Sequence, residues 1–326
     1  MNEKVLNKNQ ISKKEIIDEY LESMRITQMR DEQTRDLSFG QKRLVEILRA
    51  LINPQDKILI PSPSYVSYGP LSELAGARAV YVDTQKSGFK LRPQALDRCI
   101  DTKTKAIIFN YPTNPTGVSY TKKELEAIKR IILRHNLFCL SDEIYGDLTY
   151  DFEHTPFPTL SGVKKNTLYL NGFSKSYAMT GWRVGYACGP KEMIAAMTKI
   201  HQYTIMCVPT ASQMAACEAL VSGMRSVEEM KREYRRRREF IIDGLNRLGL
   251  VCQKPEGAFY AFACIKKSGL SALDFAKRLL NEQKVAVVPG NAFGPFPDYV
   301  RISYACSFDN LKEALVRIEK FLKSIK

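Results

Sequence analysis

Short apolar runs alternate with longer stretches in which apolar residues recur every three or four positions. The short runs predict buried strands, and the longer stretches predict amphipathic helices. Such alternation indicates an α/β fold with a largely parallel sheet. The strands predicted for this sheet are residues 57–61, 79–83, 105–110, 137–141, 167–170 and 184–188.

The same pattern divides the chain into three parts. Residues 1–36 predict a helical segment that begins at a capping box, Ser12 to Glu15. Residues 37–215 carry the alternating pattern and predict a large domain, in which Thr121 and Glu124 form a second capping box. Residues 216–326 change to long amphipathic helices and predict a smaller α+β domain. Its predicted strands are residues 258–264 and 285–288.

Composition narrows the class of protein without naming a function. The 326 residues are ample for two domains, and no apolar run approaches the roughly 20 residues that cross a bilayer. The polar start, Met1 to Lys4, lacks the apolar core of a signal peptide. None of the eight cysteines forms a C-x-x-C pair, and most have apolar neighbours. We therefore expect mostly buried, reduced thiols in a cytoplasmic protein, and no metal site.

A net charge of +14 raises the question of a nucleic-acid partner. The densest basic run, Lys231 to Arg238, lies in a helical pattern whose apolar spacing places the arginines mainly on solvated faces. No aromatic platform or groove-reading motif accompanies the run. We predict an exposed basic helix, and neither a nucleic-acid nor a membrane partner.

The segment most informative about chemistry is residues 171–185, NGFSKSYAMTGWRVG. Lys175 follows a predicted strand through a turn of small residues, and Arg183 stands eight residues later. A lysine that attacks an aldehyde needs an amine whose pKa is lowered by burial or by nearby positive charge. The planar guanidinium of an arginine can bind a phosphate. A lone lysine is ordinarily solvated, so this interpretation depends on the other segments.

Five informative segments follow one another along the chain. They are PSPSYVSY (61–68), YPTNPTG (111–117), SDEIY (141–145), residues 171–185, and VPGNAFG (288–294) with YVRISYA (299–305). In this order they resemble motifs of the class I/II aminotransferases, which are pyridoxal-phosphate enzymes of fold type I. The resemblance covers roughly residues 37–326. It implies a mostly parallel, seven-stranded-type sheet between helices, a smaller α+β C-terminal domain, a pyridoxal 5'-phosphate cofactor and a homodimer.

The resemblance also implies a role for each matched residue. Lys175 carries the cofactor as a Schiff base and then serves as general base and acid. Asp142 stabilises the proton on the ring nitrogen, and Arg301 binds the substrate carboxylate. The remaining matches are Tyr65 stacked on the ring, Asn114 and Tyr145 at the phenolic oxygen, Asn114 beside the substrate, and Gly40, Gln41, Ser174 and Arg183 at the phosphate.

Departures from the family pattern leave three functions open. Family members carry a longer N-terminal region, Phe39 replaces the first glycine of the phosphate loop, and Gly172 replaces a small polar residue. We expect these changes to weaken cofactor binding without abolishing it. The leading hypothesis is a ping-pong transaminase acting on an α-amino acid and a 2-oxo acid. The alternatives are a C–S β-lyase and a non-catalytic remnant that binds the cofactor.

Overall fold

The computed structural model describes Asn53 and residues 55–325. Within them, a six-stranded sheet has the order β2-β1-β3-β4-β5-β6, parallel throughout except for β6, which runs antiparallel to β5. Its strands are β1 (Lys57–Ser62), β2 (Arg78–Asp83), β3 (Thr104–Asn110), β4 (Phe138–Asp142), β5 (Thr167–Gly172) and β6 (Gly185–Cys188).

Helices follow most of these strands and continue to the C-terminus. The helices are α1 (Tyr68–Leu74), α2 (Pro93–Arg98), α3 (Lys122–Arg134), α4 (Lys191–Thr204), α5 (Thr210–Ser222), α6 (Met224–Arg247), α7 (Ala272–Gln283) and α8 (Phe308–Ser324).

Both faces of the large sheet are buried. Along β3, Ile107 and Phe109 pack into one hydrophobic core, while Ala106 and Ile108 pack into a second core on the opposite face. Successive side chains of a strand point to opposite faces, so a strand that is apolar throughout needs cover on both sides. The uninterrupted apolar run of this strand is therefore explained by its central place in the sheet.

The start of α3 is fixed by the capping box that the sequence predicts. Thr121 Oγ1 accepts a hydrogen bond from the backbone of Glu124, and the Glu124 carboxylate accepts one from the Thr121 backbone at 2.7 Å. These bonds satisfy amide groups that the first helical turn leaves without partners. The helix then buries Leu125, Ile128 and Ile132 against the sheet.

The C-terminal part contains a second, antiparallel sheet of order β7-β9-β8, whose strands are β7 (Tyr260–Cys264), β8 (Val288–Pro289) and β9 (Tyr299–Ser303). Its core is shared with α6, α7 and α8. The predicted strand at 285–288 is wrong in its extent, because only Val288 and Pro289 pair with β9. Val285 and Val287 pack against the apolar core instead.

The large α/β sheet and the smaller α+β part confirm the predicted fold class. Six strands of the seven-stranded-type sheet lie within the described residues. The predicted helix at residues 12–24 lies outside them, and the boundaries 1–36, 37–215 and 216–326 stay predictions. No helix in the described part of the chain is long and apolar enough to span a membrane.

The expectation of mostly buried thiols is wrong. All eight cysteines are free, but only Cys139 and Cys252 are buried. The three exposed cysteines are Cys188 at the end of β6, Cys207 in the loop between α4 and α5, and Cys217 on α5.

The basic helix also differs from its prediction at one position. Arg238 of α6 is fully buried, whereas Arg235 and Arg236 are exposed as expected. Its guanidinium binds both Asp151 carboxylate oxygens, at 2.6 and 2.9 Å, and donates to the Pro255 carbonyl. A buried cation with this many partners joins α6 to the loop after β4, which spacing alone does not reveal.

Replacing Asp151 with asparagine should lower the free energy of unfolding by about 2 kcal/mol, since it removes the two-oxygen partner of buried Arg238 and leaves, among the described residues, only the Glu239 carboxylate, at 2.6 Å, as its anion. Arg238 lowers the pKa of Asp151, so this stabilisation is present above the ordinary aspartate pKa of about 3.9 and is lost as the pH falls through the lowered value. Denaturant unfolding of wild type and variant at neutral and acidic pH measures both effects. Asp309→Asn, at an exposed pair with Lys312, is the control and should change the free energy by less than about 0.5 kcal/mol.

Candidate active site

The carboxyl ends of the parallel strands carry most of the predicted site residues. Asp142 is the last residue of β4, and the turns after β3 and β5 carry Asn114 and Lys175. Parallel strands end at one edge of a sheet, and ligands of α/β proteins bind in the crevice outside that edge. The topology therefore gathers residues that are far apart in the sequence.

Asp142 is held on several sides. Its Oδ2 accepts a hydrogen bond from the Tyr68 hydroxyl at 2.6 Å, and its Oδ1 accepts a longer one, 3.3 Å, from the backbone of Ile144. The Asn110 side chain donates to its carbonyl at 2.8 Å. Burial raises the pKa of Asp142, an effect that the bond from Tyr68 opposes.

Lys175 lies in the turn after β5 and is partly buried. Burial lowers the pKa of its amine, and the positive charges of Arg183 and Arg301 lower it further. The negative charge of Asp142 acts in the opposite direction. A larger share of this amine is therefore neutral at a given pH than for an ordinary lysine, as a nucleophile requires.

Arg183 is exposed and lies eight residues after Lys175. It follows a short 3₁₀ segment, Thr180–Trp182, and takes a left-handed conformation with φ of 56°. Its Nη1 donates to the Thr180 carbonyl at 2.6 Å, while the Thr180 hydroxyl donates to the Ser174 carbonyl at 2.6 Å. These bonds tie the arginine to the turn that carries Lys175.

Arg301 of β9 connects the small sheet to the large one. Its Nη1 donates to Asn114 Oδ1 at 2.9 Å, and the Asn114 backbone N–H donates to Asn110 Oδ1 at 3.1 Å. The guanidinium carbon lies 4.5 Å from the ring centre of Tyr260 and 4.9 Å from that of Phe293. These contacts fix the plane of a side chain whose Nε is buried without a partner.

Tyr145 and Tyr65 lie close to these groups. The hydroxyl oxygens of Tyr145 and Tyr260 are 3.0 Å apart, and burial raises the pKa of Tyr145. Tyr65 is half-buried and packs edge-on against Tyr68, with ring centres 5.5 Å apart. A cavity of about 660 Å³ lies to one side of this group, lined by Tyr65 and Phe293 but by none of Lys175, Asp142 and Arg301.

Most of the predicted site residues lie in the described part of the chain, at or near this edge of the sheet. They are Lys175, Asp142, Tyr145, Asn114, Tyr65, Ser174, Arg183 and Arg301. Gly40 and Gln41, together with Phe39, lie outside the described residues. Residues that the sequence reasoning missed are Tyr68, Tyr260 and Phe293.

The charges around Lys175 fit an anionic cofactor and an anionic substrate. Lys175, Arg183 and Arg301 are cationic groups, and Asp142 is the carboxylate whose charge acts on the same amine. The surplus of positive charge suits a phosphate and a carboxylate, and the unpartnered Arg301 Nε is a further donor. In the described part of the chain, no three His, Cys, Asp or Glu side chains gather as metal ligands.

Comparison with known proteins agrees with this geometry. The sequence model of the family "Aminotransferase class I and II" matches residues 21–318. The Bacillus subtilis protein YugH is 47% identical over 289 residues, which are 88% of this chain and 75% of that protein. Aromatic-amino-acid aminotransferase 2 of Thermococcus litoralis is 43% identical over 86% of this chain and 73% of its own. The crystal structure of the aromatic aminotransferase from Pyrococcus horikoshii superposes with a TM-score of 0.85 at 41% identity, covering 87% of this chain and 78% of that one.

The fold, the site and these relatives define a pyridoxal-phosphate enzyme of fold type I. The chain belongs to the class I and II aminotransferases and is an enzyme that transfers amino groups between amino acids and 2-oxo acids. The family assignment and the cofactor expected from the sequence are confirmed. The relatives do not favour the C–S lyase alternative.

Proposed function

We propose that this aminotransferase works by a ping-pong mechanism in which Lys175 holds the cofactor covalently and then moves the transferred proton. The observation that carries the proposal is the setting of Lys175, whose amine is partly buried and subject to the charges of Arg183, Arg301 and Asp142. The burial and the two guanidinium groups favour the neutral amine, which is the form that attacks a carbonyl.

Several residues besides Lys175 would hold pyridoxal phosphate. Asp142 would accept the hydrogen bond of the ring nitrogen, because a carboxylate stabilises a protonated pyridine. Arg183 and Ser174, with Gly40 and Gln41 from outside the described residues, would bind the phosphate. The residues assigned to the ring are Tyr65 on its face, and Asn114 and Tyr145 at its phenolic oxygen.

When bound, pyridoxal phosphate supplies an aldehyde that combines with amino groups and a ring that withdraws electrons from the substrate α-carbon. Lys175 Nζ would take the proton from the substrate Cα as a general base, and as a general acid it would deliver that proton to the carbon supplied by the cofactor aldehyde. Burial and the charges of Arg183 and Arg301 lower the pKa of this amine, so it gives up its proton at a lower pH than an ordinary lysine does.

Arg301 would bind the α-carboxylate of the amino acid. Its planar guanidinium has donors left after the bond to Asn114, and a carboxylate can accept two parallel hydrogen bonds from one such group. The flanking rings of Tyr260 and Phe293 hold the guanidinium plane in place. This contact recognises a feature common to all α-amino acids, so the identity of the side chain is decided elsewhere.

Two substitutions near Lys175 should shift the pH midpoint of its reaction with an aldehyde in opposite directions. In apo-enzyme, Arg183→Gln removes a positive charge and should raise the pH midpoint for reaction with pyridoxal, which lacks the phosphate. Asp142→Asn removes a negative charge and should lower that midpoint. The measurement is the reaction rate as a function of pH. Midpoints that move in the same direction in both variants would contradict the electrostatic account.

The test of the proposed function separates its alternatives. Purified protein loaded with pyridoxal phosphate is mixed with a panel of amino acids, first without and then with a 2-oxo acid. A ping-pong transaminase releases one equivalent of keto acid alone and turns over only with the second substrate. Pyruvate release from cystathionine without any 2-oxo acid identifies a β-lyase. The absence of both activities identifies a remnant that binds the cofactor without catalysis.

We also propose a cytoplasmic homodimer. Large apolar side chains on or beside α4 and α5 are exposed, among them Tyr203 (85%), Met206 (76%) and Val221 (84%). Clustered exposure of this kind is typical of protein interfaces. All eight cysteines are free, which suits a reducing compartment. Sedimentation of the full chain tests the dimer, and a monomer with full activity would refute it.

A further inference from the structure

Tyr68 makes the shortest hydrogen bond to the Asp142 side chain in the described residues. Its hydroxyl donates to Oδ2 at 2.6 Å, a length typical of an O–H bond to an ionised carboxylate. The other oxygen, Oδ1, has the long 3.3 Å contact with the Ile144 amide. The two oxygens of this carboxylate are therefore unequal, and Oδ1 retains more capacity to accept a further hydrogen bond.

The tyrosine is held rigidly by its surroundings. It is the first residue of α1, is only 4% exposed, and packs in the core that contains Ile60 and Leu140. Its carbonyl accepts a bond from the Ser72 hydroxyl at 2.7 Å, and its ring meets Tyr65 edge-on. The position of the hydroxyl is thus set by packing before any ligand binds.

We propose that Tyr68 is a positioning residue for the cofactor ring nitrogen: its hydroxyl keeps Asp142 ionised and leaves Oδ1 as the oxygen that accepts the ring N–H. The inference rests on the proposed function, specifically on the role of Asp142. The surroundings of Asp142 make such a donor necessary. Burial and the neighbouring Glu143 carboxylate both favour the neutral form of Asp142, whereas Tyr68, the Ile144 amide and Lys175 favour the charged form.

The test is Tyr68→Phe, which removes one oxygen and keeps the ring. Weaker retention of the ring proton should lower pyridoxal-phosphate affinity and kcat by about tenfold each, the lower end for a charged hydrogen bond. The KM for the amino acid should change little, because Arg301 is untouched. In the wild type, the positive charge of the protonated ring disfavours a second proton nearby. Tyr68→Phe should weaken that ring charge, so the pH midpoint of the visible absorption of the Lys175-bound cofactor should rise.

Two further variants make the result interpretable. Tyr304→Phe removes another fully buried tyrosine hydroxyl, one that donates to the Ala258 carbonyl at 3.3 Å, and should leave affinity and midpoint unchanged. Asp142→Asn tests the underlying assignment. If it leaves the midpoint unchanged, the role of Asp142 fails. If it moves the midpoint while Tyr68→Phe stays within twofold of wild type in affinity and kcat, only the Tyr68 proposal fails.

A folding defect is measured separately. Thermal unfolding of the apo-proteins should place Tyr68→Phe close to Tyr304→Phe. Should Tyr68→Phe not fold, Tyr68→His supplies a second variant, since imidazole can also donate to Oδ2. A Tyr68→His enzyme with wild-type midpoint and affinity, beside a Tyr68→Leu enzyme that is shifted in both, supports the need for a donor. A Tyr68→Leu enzyme that keeps wild-type midpoint and affinity overturns the proposal.

Discussion

Lys175→Ala should lower the rate of transamination by at least about 10³-fold, because it removes both the covalent attachment and the group that moves the proton. General acid–base catalysis alone contributes about 10² to 10⁴ in rate. Among the described residues, Lys175 is the lysine whose charge acts on Asp142, and no other amine is proposed to move the proton in its place. The measurement is multiple-turnover amino transfer from an amino acid to a 2-oxo acid, with added pyridoxal phosphate.

Lys164→Ala is the matched control for this variant. Lys164 is exposed in the turn before β5, so its loss changes the charge of the protein equally without touching the site. It should retain wild-type activity within about twofold, as expected for an exposed position. Wild-type turnover by the Lys175 variant would contradict the role assigned to that residue.

Arg301→Gln should reduce kcat/KM for α-amino acids by about 10²- to 10³-fold. It removes one partner of a charged pair in a partly buried site, a loss of about 3–4 kcal/mol. Most of the effect should fall on KM, because the carboxylate is bound equally in the ground state and the transition state. Steady-state kinetics with several amino acids measures the change, which should be similar for each of them.

Two controls show whether the loss comes from the carboxylate contact. An amine that lacks the α-carboxylate should react with wild type and Arg301→Gln at similar rates, however slowly. Arg278→Gln, at a surface pair with Glu282, should leave kcat/KM within twofold of wild type. An Arg301 variant that affects the amine as strongly as the amino acid would point to a structural role instead.

The sequence predicts those features that depend on local pattern. Apolar runs locate the strands of the large sheet to within about two residues at either end, and the Thr121 capping box locates the start of α3. Lys175, Asp142 and Arg301 could be assigned because each stands in a motif with recognisable spacing. Local pattern thus suffices where the chemistry and the fold are both encoded over a few residues.

Features that depend on distant contacts could not be predicted. Tyr68 stands 74 residues before Asp142, and only the pairing of β1, β3 and β4 brings them within hydrogen-bond distance. In the sequence, Tyr260 and Phe293 are indistinguishable from ordinary core aromatics, because their contact with Arg301 exists only in the folded protein. Arg238 appears in the sequence as one of several surface arginines, because its partner Asp151 is 87 residues away.

Lys175 is the residue proposed to carry the cofactor. Borohydride reduction of the purified protein loaded with pyridoxal phosphate, followed by proteolysis and mass spectrometry, tests it most directly. We expect a yellow protein whose colour is lost on reduction and a pyridoxyl group fixed to the peptide at Lys175. A protein that stays colourless with added cofactor, or a label found on a different lysine, would show that Lys175 does not carry the cofactor.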